Sequence, residues 1–492
     1  MLKRNALLTY LNQGYSMLIG ILVMPFLYNI MGPVAFGIIG FYTVIQIFIN
    51  VLDSGLSPTL CRVIAASSGN TKTTTRTLKS FETISLLVFA VIFFSSYLLS
   101  DQILKYWFKG NEIITETIIA LLFFIVSSRL IASIYRAALQ GKEDFLWLNA
   151  GTILFNTIKY PVCTYIMYRE PSLELYFQIH VAATVLELLI FRLRVANRLS
   201  LSFWLPGRFY IAELSENRKY ILSVAFTALV SAATLHLDKL LFSNILLPEE
   251  YGYYTMCITI SSAMITLGFP IGAVLIPRLT KLYASNQQKQ FLSLYHKSAM
   301  FVAAVLLPVG VLVALFSRQV LLLFTSDPVA AEWGETILTL YILGNSVAIV
   351  TAFQYYLQVA IGDLKEHVRY NKLLLVTYIP LIFFFAYFYD VLYVAFLSFS
   401  FKLASFLLWQ WYVHHKTRVV THKAWFSCSI LPSLLMCCLV SGLTVFFGIN
   451  KIQLTTLVLL ITMALLYAAI VLGALVLAKL LNKETLVNVE SR

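Results

Sequence analysis

The chain has 492 residues, of which 60% are hydrophobic and 12% are charged, and its mean hydropathy is +0.82. This composition excludes an ordinary soluble globular protein and indicates a polytopic membrane protein. The formal net charge of +13 would suit nucleic-acid binding, but the chain contains no Lys/Arg-rich block and no nucleic-acid motif. Basic loops are expected of any membrane protein, so we expect no nucleic-acid partner.

The six cysteines lie in or beside apolar segments and form neither a CxxC pair nor a His/Cys pattern with metal spacing. We therefore expect free thiols and no metal or other cofactor. At the N-terminus, two basic residues precede an apolar run that continues past Phe26 without a small-residue cleavage site. This segment is expected to be a first transmembrane helix rather than a signal peptide.

Fourteen segments are long and apolar enough to cross a bilayer, which takes about 20 residues of helix. In chain order they are 7–30, 34–57, 81–100, 113–138, 145–168, 173–196, 219–246, 251–276, 297–317, 334–360, 371–389, 391–413, 428–448 and 455–480. The predicted fold class is therefore an all-α polytopic membrane protein with 12–14 transmembrane helices.

The distribution of Lys and Arg residues predicts how these segments are oriented in the membrane. With both termini in the cytoplasm, 27 of the 36 Lys and Arg residues fall on the cytoplasmic side and 5 fall in outer loops. The other 4, Arg129, Lys159, Lys239 and Lys402, lie inside spans. Because cytoplasmic loops collect positive charge, this asymmetry favours cytoplasmic termini and an even number of spans.

An internal repeat divides the chain. The motif NIMGPVAFG (29–37) recurs as NILLPEEYG (244–252), and Gly141 and Gly362 match at nearly the same spacing. The number of residues between matching positions changes very little along the chain, which indicates a duplicated six-helix unit. We expect two lobes related by a pseudo-twofold along the membrane normal, with a cavity between them. The predicted organisation is an N-terminal lobe (1–196), a cytoplasmic interfacial linker (197–218), a C-terminal lobe (219–416), and two additional helices with a cytoplasmic tail (417–492).

Four segments, MGPVAFGIIGFY, LDSGLSPTLCRVIA, LQGKEDF and LDKLLFSNILLPEEYGYY, together resemble polysaccharide biosynthesis proteins of the Wzx (RfbX) type. That family belongs to the multidrug/oligosaccharidyl-lipid/polysaccharide exporter (MOP) superfamily. The resemblance covers most of the first twelve spans. It implies a flippase that moves undecaprenyl-diphosphate-linked repeat units of O-antigen, capsule or exopolysaccharide across the bacterial inner membrane by alternating access.

The partners that this resemblance implies are the lipid-linked oligosaccharide, inner-membrane lipids, a coupling ion (H⁺ or Na⁺), and polysaccharide polymerase and chain-length machinery. Wzx-type members commonly have about twelve helices, whereas related lipid II flippases of the MurJ type have fourteen. A lipid II substrate therefore stays open as an alternative.

Polar residues recur at helical spacing on one face of several spans. Facing lipid, each such group would cost about 1–3 kcal/mol, so the stripes are expected to face neighbouring helices or a water-filled cavity. Asp238 continues a stripe of Thr227, Ser231 and Thr234. We expect Asp238 to face the cavity, with Lys239 at its edge.

Cations outnumber anions deep in the predicted spans, and a diphosphate would neutralise such a positive interior. For Arg129, Lys159 and Lys402, buried structural ion pairing is the alternative, and His180 and Glu187 are expected to be structural. The predicted substrate contacts are Asn12, Gln46, Asn50, Arg129, Lys159, Asp238, Lys239 and Lys402. The predicted gate or headgroup contacts are Asp53, Arg62 and Arg136.

The sequence contains no Walker motif, HExxH or nucleophile elbow, and we expect a transporter rather than an enzyme. A membrane polysaccharide polymerase or ligase is the alternative from another class, and it would need a large extracytoplasmic loop. The longest predicted outer loop is under twenty residues, near 316–333. A cation-coupled drug exporter would need an acidic cavity, whereas the deep residues here are mainly basic.

Overall fold

The computed structural model describes residues 2–66, 71–108, 111, 113–199, 211–449 and 456–490. Every regular element within these residues is a helix. The chain divides into two compact units, Met1–Thr255 and Met256–Arg492. The predicted linker lies largely outside the described residues, so the predicted lobe boundaries stay a prediction.

The first unit opens with α1 (Leu2–Ala66), a long helix that is broken at Gly32, where φ is +79°. The elements that follow are α2 (Thr71–Leu98), α3 (Ser100–Gln102), a π-helical turn (Ile103–Trp107), α4 (Glu116–Gly141), α5 (Phe145–Thr157), a second π-helical turn (Ile158–Val162), α6 (Cys163–Arg169), α7 (Leu173–Leu199), α8 (Ile211–Ile245) and the start of α9 (Pro248–Ala284).

The second unit contains the rest of α9 and the remaining helices, three of which are interrupted by π-helical turns. They are α10 (Gln288–Leu315), α11 (Ser317–Thr325), α12 (Pro328–Ile361), α13 (Lys365–Leu373), a π-helical turn (Leu374–Tyr378), α14 (Ile379–Phe388), α15 (Val391–Ala404), a π-helical turn (Ser405–Trp409), α16 (Gln410–Thr417), α17 (His422–Trp425), a π-helical turn (Phe426–Ile430), α18 (Leu431–Phe446) and α19 (Thr456–Glu490).

Eleven helices within the described residues are long and apolar enough to cross a membrane. One of them, Leu11–Ala65, contains two predicted spans because the break at Gly32 separates them. The predicted spans 145–168 and 173–196 are helical but are not among the eleven. The predicted all-α polytopic membrane fold is confirmed.

The internal repeat is also seen in the positions at which equivalent helices begin. Equivalent elements of the two halves begin at nearly the same spacing as the sequence motifs. The pairs are α5 and α13, which begin at Phe145 and Lys365, the π-helical turns Ile158–Val162 and Leu374–Tyr378, and α7 and α15, which begin at Leu173 and Val391. The duplication is therefore present in the backbone as well as in the sequence.

Counterpart residues of the repeat meet where α1 passes the start of α9. Gly37 lies against Gly252 and Gly40 lies against Thr255. A Cβ atom added at Gly252 would lie 2.0 Å from the carbonyl oxygen of Pro33, and one added at Gly40 would lie 2.3 Å from Thr255 Cγ2. Small residues allow membrane helices to approach this closely, so the crossing depends on glycine at both positions.

We predict that Gly252→Ala destabilises the protein by about 1–3 kcal/mol, because the added methyl group overpacks the helix crossing. The measurement is thermal unfolding of the purified chain in detergent. Gly20→Ala is the matched control, since no atom lies within 4 Å of a Cβ at Gly20. Equal melting temperatures for the two variants would contradict this description of the crossing.

Charged side chains pair at Asp144, in the connection between α4 and α5, and we call them the Asp144 network. Asp144 Oδ2 accepts from Arg194 Nε and from Arg198 Nε, each at 2.9 Å. The Arg194 guanidinium lies 4.7 Å from the centroid of the Trp147 ring. Burial disfavours the charged carboxylate, but the two arginines outweigh it and hold the pKa of Asp144 below its ordinary value.

The Asp144 network is predicted to make a pH-dependent contribution of about 0.5–1 kcal/mol to the stability of the protein. A carboxyl whose folded pKa is lowered stabilises the protein above its unfolded pKa of about 3.9 and loses this effect as the pH falls through the folded value. Wild type should therefore unfold at a higher temperature than Asp144→Asn at pH 7, and the gap should close below about pH 3.9. A gap that persists in acid would refute the electrostatic origin.

Candidate functional site

A buried carboxylate on α7 joins two of the predicted site residues. Glu187 is 2% exposed, and its Oε2 accepts from Lys159 Nζ at 2.7 Å. Its Oε1 forms an ion pair with Arg136, whose guanidinium also lies over the Phe191 ring at 5.6 Å. Glu187 thus forms ion pairs with specific partners, while Arg192 on the same helix pairs with Glu82 at 2.9 Å.

A local distortion of the backbone positions Lys159. The residue lies in the π-helical turn Ile158–Val162, which contains Pro161. Proline has no N–H with which to continue the α-helical hydrogen-bond ladder, and single π turns of this kind are frequent at functional sites. Lys159 is 3% exposed, and its ammonium donates to the Glu187 carboxylate. The contact that Lys159 makes in this structure is therefore the ion pair with Glu187.

Arg129 differs from the other two cations. It lies on α4, two helical turns before Arg136, which places both side chains on one helical face. Arg129 is partly exposed, and it forms no ion pair within the described part of the chain. Its Nε atom is buried without a hydrogen-bond partner, while Tyr42, Tyr160 and Glu187 are its electrostatic neighbours. Arg129 therefore has no carboxylate contact among the described residues, whereas Arg136 and Lys159 both pair with Glu187.

The charges in this region do not balance. Asp53 on α1 accepts from Ser57 Oγ at 2.5 Å and lies within electrostatic reach of Arg136. Three cations (Arg129, Arg136 and Lys159) thus face two carboxylates, Glu187 and Asp53, which leaves one positive charge in excess. We refer to these five residues as the Glu187 cluster. An anionic ligand would complete its charge balance.

The polar stripe of the first span is used for helix pairing. Asn12 Nδ2 donates to Asn149 Oδ1 at 2.9 Å, Asn149 Nδ2 donates to Thr9 Oγ1 at 3.2 Å, and Asn156 Nδ2 donates to Ser16 Oγ at 2.7 Å. Asn12 is 8% exposed. The sequence leaves two explanations open for this stripe, contact with neighbouring helices or with a water-filled cavity. In this structure the contacts of the stripe are hydrogen bonds between α1 and α5.

The other predicted contacts on α1 are more accessible. Gln46 is partly exposed, and Asn50 and Arg62 are exposed. The backbone carbonyl of Asn50 accepts from Ser54 Oγ at 2.9 Å. These residues lie on the same broken helix as Asp53, which belongs to the Glu187 cluster.

Asp238 and Lys239 on α8 are both buried, at 6% and 7% exposure. Asp238 accepts from Tyr254 Oη at 2.9 Å and from the Lys239 backbone N–H at 2.8 Å. The Lys239 ammonium has Asp238 as its electrostatic neighbour. The carboxylate is thus held by its own helix and by α9, and the predicted cavity-facing role of this pair stays a prediction.

Lys402 lies in the second unit, beside a cavity of about 150 Å³. Its Nζ donates to Asn345 Oδ1 at 2.7 Å and lies 5.6 Å from the centroid of the Tyr341 ring. Asn345 in turn donates to the Ser261 carbonyl at 2.9 Å. The residues that line the cavity are Ala348, Thr351, Ala352, Gln354, Tyr370, Lys402 and Ser405.

Sequence reasoning did not identify every residue of these sites. The sequence predicts a structural role for Glu187 but not its partners, which are Arg136 and Lys159. No sequence pattern points to Tyr370 and Ser405, which line the cavity beside Lys402. Thr351 and Gln354, which also line it, belong to a stripe of polar residues at helical spacing in the tenth predicted span. A lone carboxylate deep in an apolar span was the signal that could have found Glu187.

The described residues form a helical, internally duplicated, multi-pass membrane protein with charge buried inside its spans. Its fold is similar to that of solved transporters of the MOP superfamily. The solved lipid II flippase MurJ, in an inward closed conformation, is similar over 98% of this chain and 99% of its own, with a TM-score of 0.67 and 12% identity. An inward-facing multidrug resistance MATE family transporter is similar over 82% and 96%, with a TM-score of 0.63 and 15% identity. A MOP superfamily transporter from Pyrococcus furiosus is similar over 86% and 96%, with a TM-score of 0.54 and 16% identity.

The family described as polysaccharide biosynthesis protein matches residues 2–283, which is more than half of the chain. The chain belongs to this family. No curated protein sequence matches the chain. At these levels of identity the solved structures establish the fold alone, so the activity is argued separately below.

We predict that Glu187→Gln destabilises the chain by about 3–5 kcal/mol, because it leaves the buried Lys159 ammonium without its counter-charge. The double variant Glu187→Gln with Lys159→Met should recover part of the loss, since it removes both members of the pair. Thermal unfolding in detergent measures both, with the exposed Glu170→Gln as the control. A single variant as stable as the control would show that the pair is not structural.

Proposed function

We propose that the chain is a flippase that moves undecaprenyl-diphosphate-linked oligosaccharide repeat units across the bacterial inner membrane by alternating access. The units would be those of O-antigen, capsule or exopolysaccharide. The observation that carries this proposal is Arg129, a partly exposed guanidinium within a span, in a cluster with one positive charge in excess. Membership of the polysaccharide biosynthesis family supports a glycan substrate.

A diphosphate suits the chemistry of this site. A guanidinium presents a planar fork of N–H donors that matches phosphate oxygens, and the interaction strengthens where water is excluded. The excess charge of the Glu187 cluster lowers the cost of taking a dianionic group out of water, while the glycan would contact accessible polar side chains such as Gln46 and Asn50. The prenyl tail would stay in the lipid, where it is soluble.

The Glu187 cluster also supplies a means of release. Glu187 competes with a bound diphosphate for Arg136, so the cluster has two arrangements, one with the arginine on the carboxylate and one with it on the substrate. Alternating access requires a bistable element of this kind. In our proposal two six-helix lobes with cytoplasmic termini rock about the substrate, and a coupling ion, H⁺ or Na⁺, drives the return step.

Lipid II is a second candidate substrate, and one observation favours it. The solved lipid II flippase MurJ is similar to almost the full length of this chain, with a TM-score of 0.67. Both substrates carry a diphosphate on a prenyl carrier, so the Glu187 cluster would serve either. Deleting the gene and identifying the lipid-linked glycan that accumulates on the cytoplasmic leaflet separates them.

Two other functions fit the site less well. A drug exporter that takes up organic cations would need a cavity of negative charge, whereas the Glu187 cluster carries an excess positive charge. A polysaccharide polymerase or ligase would need an outer domain to hold the glycan, and we propose no covalent step for this chain. Export of the glycan in the absence of polymerase activity would separate the flippase from an enzyme.

We predict that Arg129→Gln lowers glycan export about tenfold or more, because it removes a charge-assisted contact to phosphate. Arg129→Lys should retain part of the activity as a point charge. Export is measured as surface polysaccharide in a deletion strain that carries each variant, with membrane protein level checked by immunoblot. The exposed Arg169→Gln is the matched control, and wild-type export by Arg129→Gln would overturn the assignment.

A further inference from the structure

We propose that three histidines of the second unit form a pH switch, which holds the connection between α16 and α17 in place near neutral pH and loosens it in acid. The three are His296 on α10, His414 on α16 and His422 on α17, and we call them the histidine cluster. This inference goes beyond the proposed function, because it concerns how the second unit is held together and can be tested without transport.

The histidine cluster lies where α16, α17 and the π-helical turn that follows them meet α10. His414 is 1% exposed, and its Nδ1 lies 3.2 Å from His422 Nδ1. His296 Nδ1 lies 3.3 Å from the Oγ of Ser429, in the turn Phe426–Ile430. The last two helices, α18 and α19, also pack on α10. The cluster therefore lies at the junction between the last helices and the rest of the second unit.

Two neutral rings satisfy the contacts of His414 with one arrangement of hydrogens. Gln410 Nε2 lies 2.9 Å from His414 Nε2, and because an amide N–H can only donate, the ring Nε2 accepts and Nδ1 carries the hydrogen. This hydrogen lies between the two Nδ1 atoms, so His422 Nδ1 accepts and its Nε2 carries the second hydrogen. Tyr295 Oη, which lies 3.0 Å from His414 Nε2, donates to the Phe353 carbonyl at 3.1 Å.

This arrangement has no place for one more proton. A hydrogen added at His422 Nδ1 would point at the hydrogen on His414 Nδ1. A hydrogen added at His414 Nε2 would point at the Gln410 amide N–H. In both cases two donors face each other and a hydrogen bond is lost. Uptake of a proton therefore breaks either the contact between α16 and α17 or the contact with Gln410.

The surroundings do not compensate a positive charge on the cluster. Within the described residues, no carboxylate contacts the three histidines, and the ionisable groups within electrostatic reach of His414 are His422 and His296. Their other neighbours are the Tyr295 hydroxyl from α10, a backbone carbonyl from α12 and the buried Trp425 ring from α17, whose centroid lies 5.1 Å from that of His414. The basic or titratable side chains next to the cluster in sequence are exposed, and they are Lys297, His415, Lys416 and Lys423. A buried charge without a partner is costly, so protonation favours a looser arrangement.

The internal repeat shows that the first unit joins the equivalent helices in a different way. When α7 is matched to α15 and α2 to α10 by their first residues, Gln410 is the counterpart of Arg192 and Ala299 is the counterpart of Glu82. Arg192 and Glu82 form an ion pair at 2.9 Å. In the second unit both positions are uncharged, and the helices meet through histidine, the side chain whose charge ordinarily changes between about pH 5 and 8.

The size of the effect follows from the number of protons bound. The packed cluster takes up no further proton, whereas a loosened histidine takes one up near its ordinary value of about pH 6.5. The packed form is therefore favoured above about pH 6.5 and loses this advantage as the pH falls below it. For one proton the shift toward the loosened form is about tenfold at about pH 5.5 and negligible at about pH 7.5. The predicted orientation places 414–427 on the cytoplasmic side, so the cluster would respond to the pH of the cytoplasm.

The test measures hydrogen–deuterium exchange of the purified full-length chain in detergent by mass spectrometry, at about pH 7.5 and about pH 5.5. Labelling times are scaled to correct for the slower chemical exchange of amides in acid. Peptides that cover 410–430 should exchange about tenfold faster at the lower pH after this correction, because exchange reports local opening.

Three variants separate the switch from a merely structural contact. His414→Gln removes the buried titratable ring, so its peptides should exchange alike at the two pH values. Gln410→Glu places a carboxylate where a hydrogen on His414 Nε2 would be accepted, so acid should no longer loosen the connection. His415→Gln, at the exposed neighbouring histidine, is the matched control and should keep the tenfold difference. Size-exclusion chromatography at about pH 7.5 identifies the folded variants, and Gln410→Glu tests the proposal even where His414→Gln does not fold.

The proposal is overturned if the wild-type peptides over 410–430 exchange alike at the two pH values, or if a folded His414→Gln or Gln410→Glu variant keeps the tenfold difference. Neither result depends on export. Loss of the proposed flippase function therefore leaves this measurement standing, and a failed exchange measurement leaves the role of Arg129 in export to be decided by its own assay.

Discussion

The buried carboxylate of Glu187 is the constraint on which the first unit depends. An isolated charge inside a membrane protein is costly, and a pair is tolerated only where geometry and hydrogen bonds compensate. Glu187 meets this condition with two cations from two other helices, Lys159 at 2.7 Å and Arg136. The ion pairs thereby fix the positions of α4, α7 and the π-helical turn Ile158–Val162 relative to one another. Among the described residues, Arg129 is the cation of this cluster that forms no ion pair with Glu187.

The duplicated halves share a backbone but carry different chemistry. The π-helical turns Ile158–Val162 and Leu374–Tyr378 are counterparts, yet Lys159 of the first corresponds to Leu375 of the second. Glu187 likewise corresponds to Ser405. The first half therefore pairs Lys159 and Arg136 with Glu187, and the second half has Lys402 beside a cavity.

Much of the fold was predictable from the sequence, because bilayer thickness and the cost of exposed backbone groups leave few choices. Each of the fourteen predicted segments lies mostly in helix over its described residues, and the repeat found in NIMGPVAFG and NILLPEEYG recurs in the helix boundaries. The partners of the polar side chains were not predictable, since helical spacing identifies a face but not what that face touches. Asn12 stands in a stripe like that of Asp53, yet one pairs α1 with α5 and the other joins the Glu187 cluster.

The most direct test of the account is transport by the purified chain in proteoliposomes that contain a fluorescent undecaprenyl-diphosphate oligosaccharide. The measured quantity is the fraction of the label that becomes accessible to a membrane-impermeant quencher with time. If the chain is a flippase for this substrate, the glycan moves between leaflets with time, and the movement requires the wild-type chain and a diphosphate on the carrier. A folded, reconstituted chain that leaves the distribution unchanged, or that moves a carrier without the diphosphate equally fast, would contradict it.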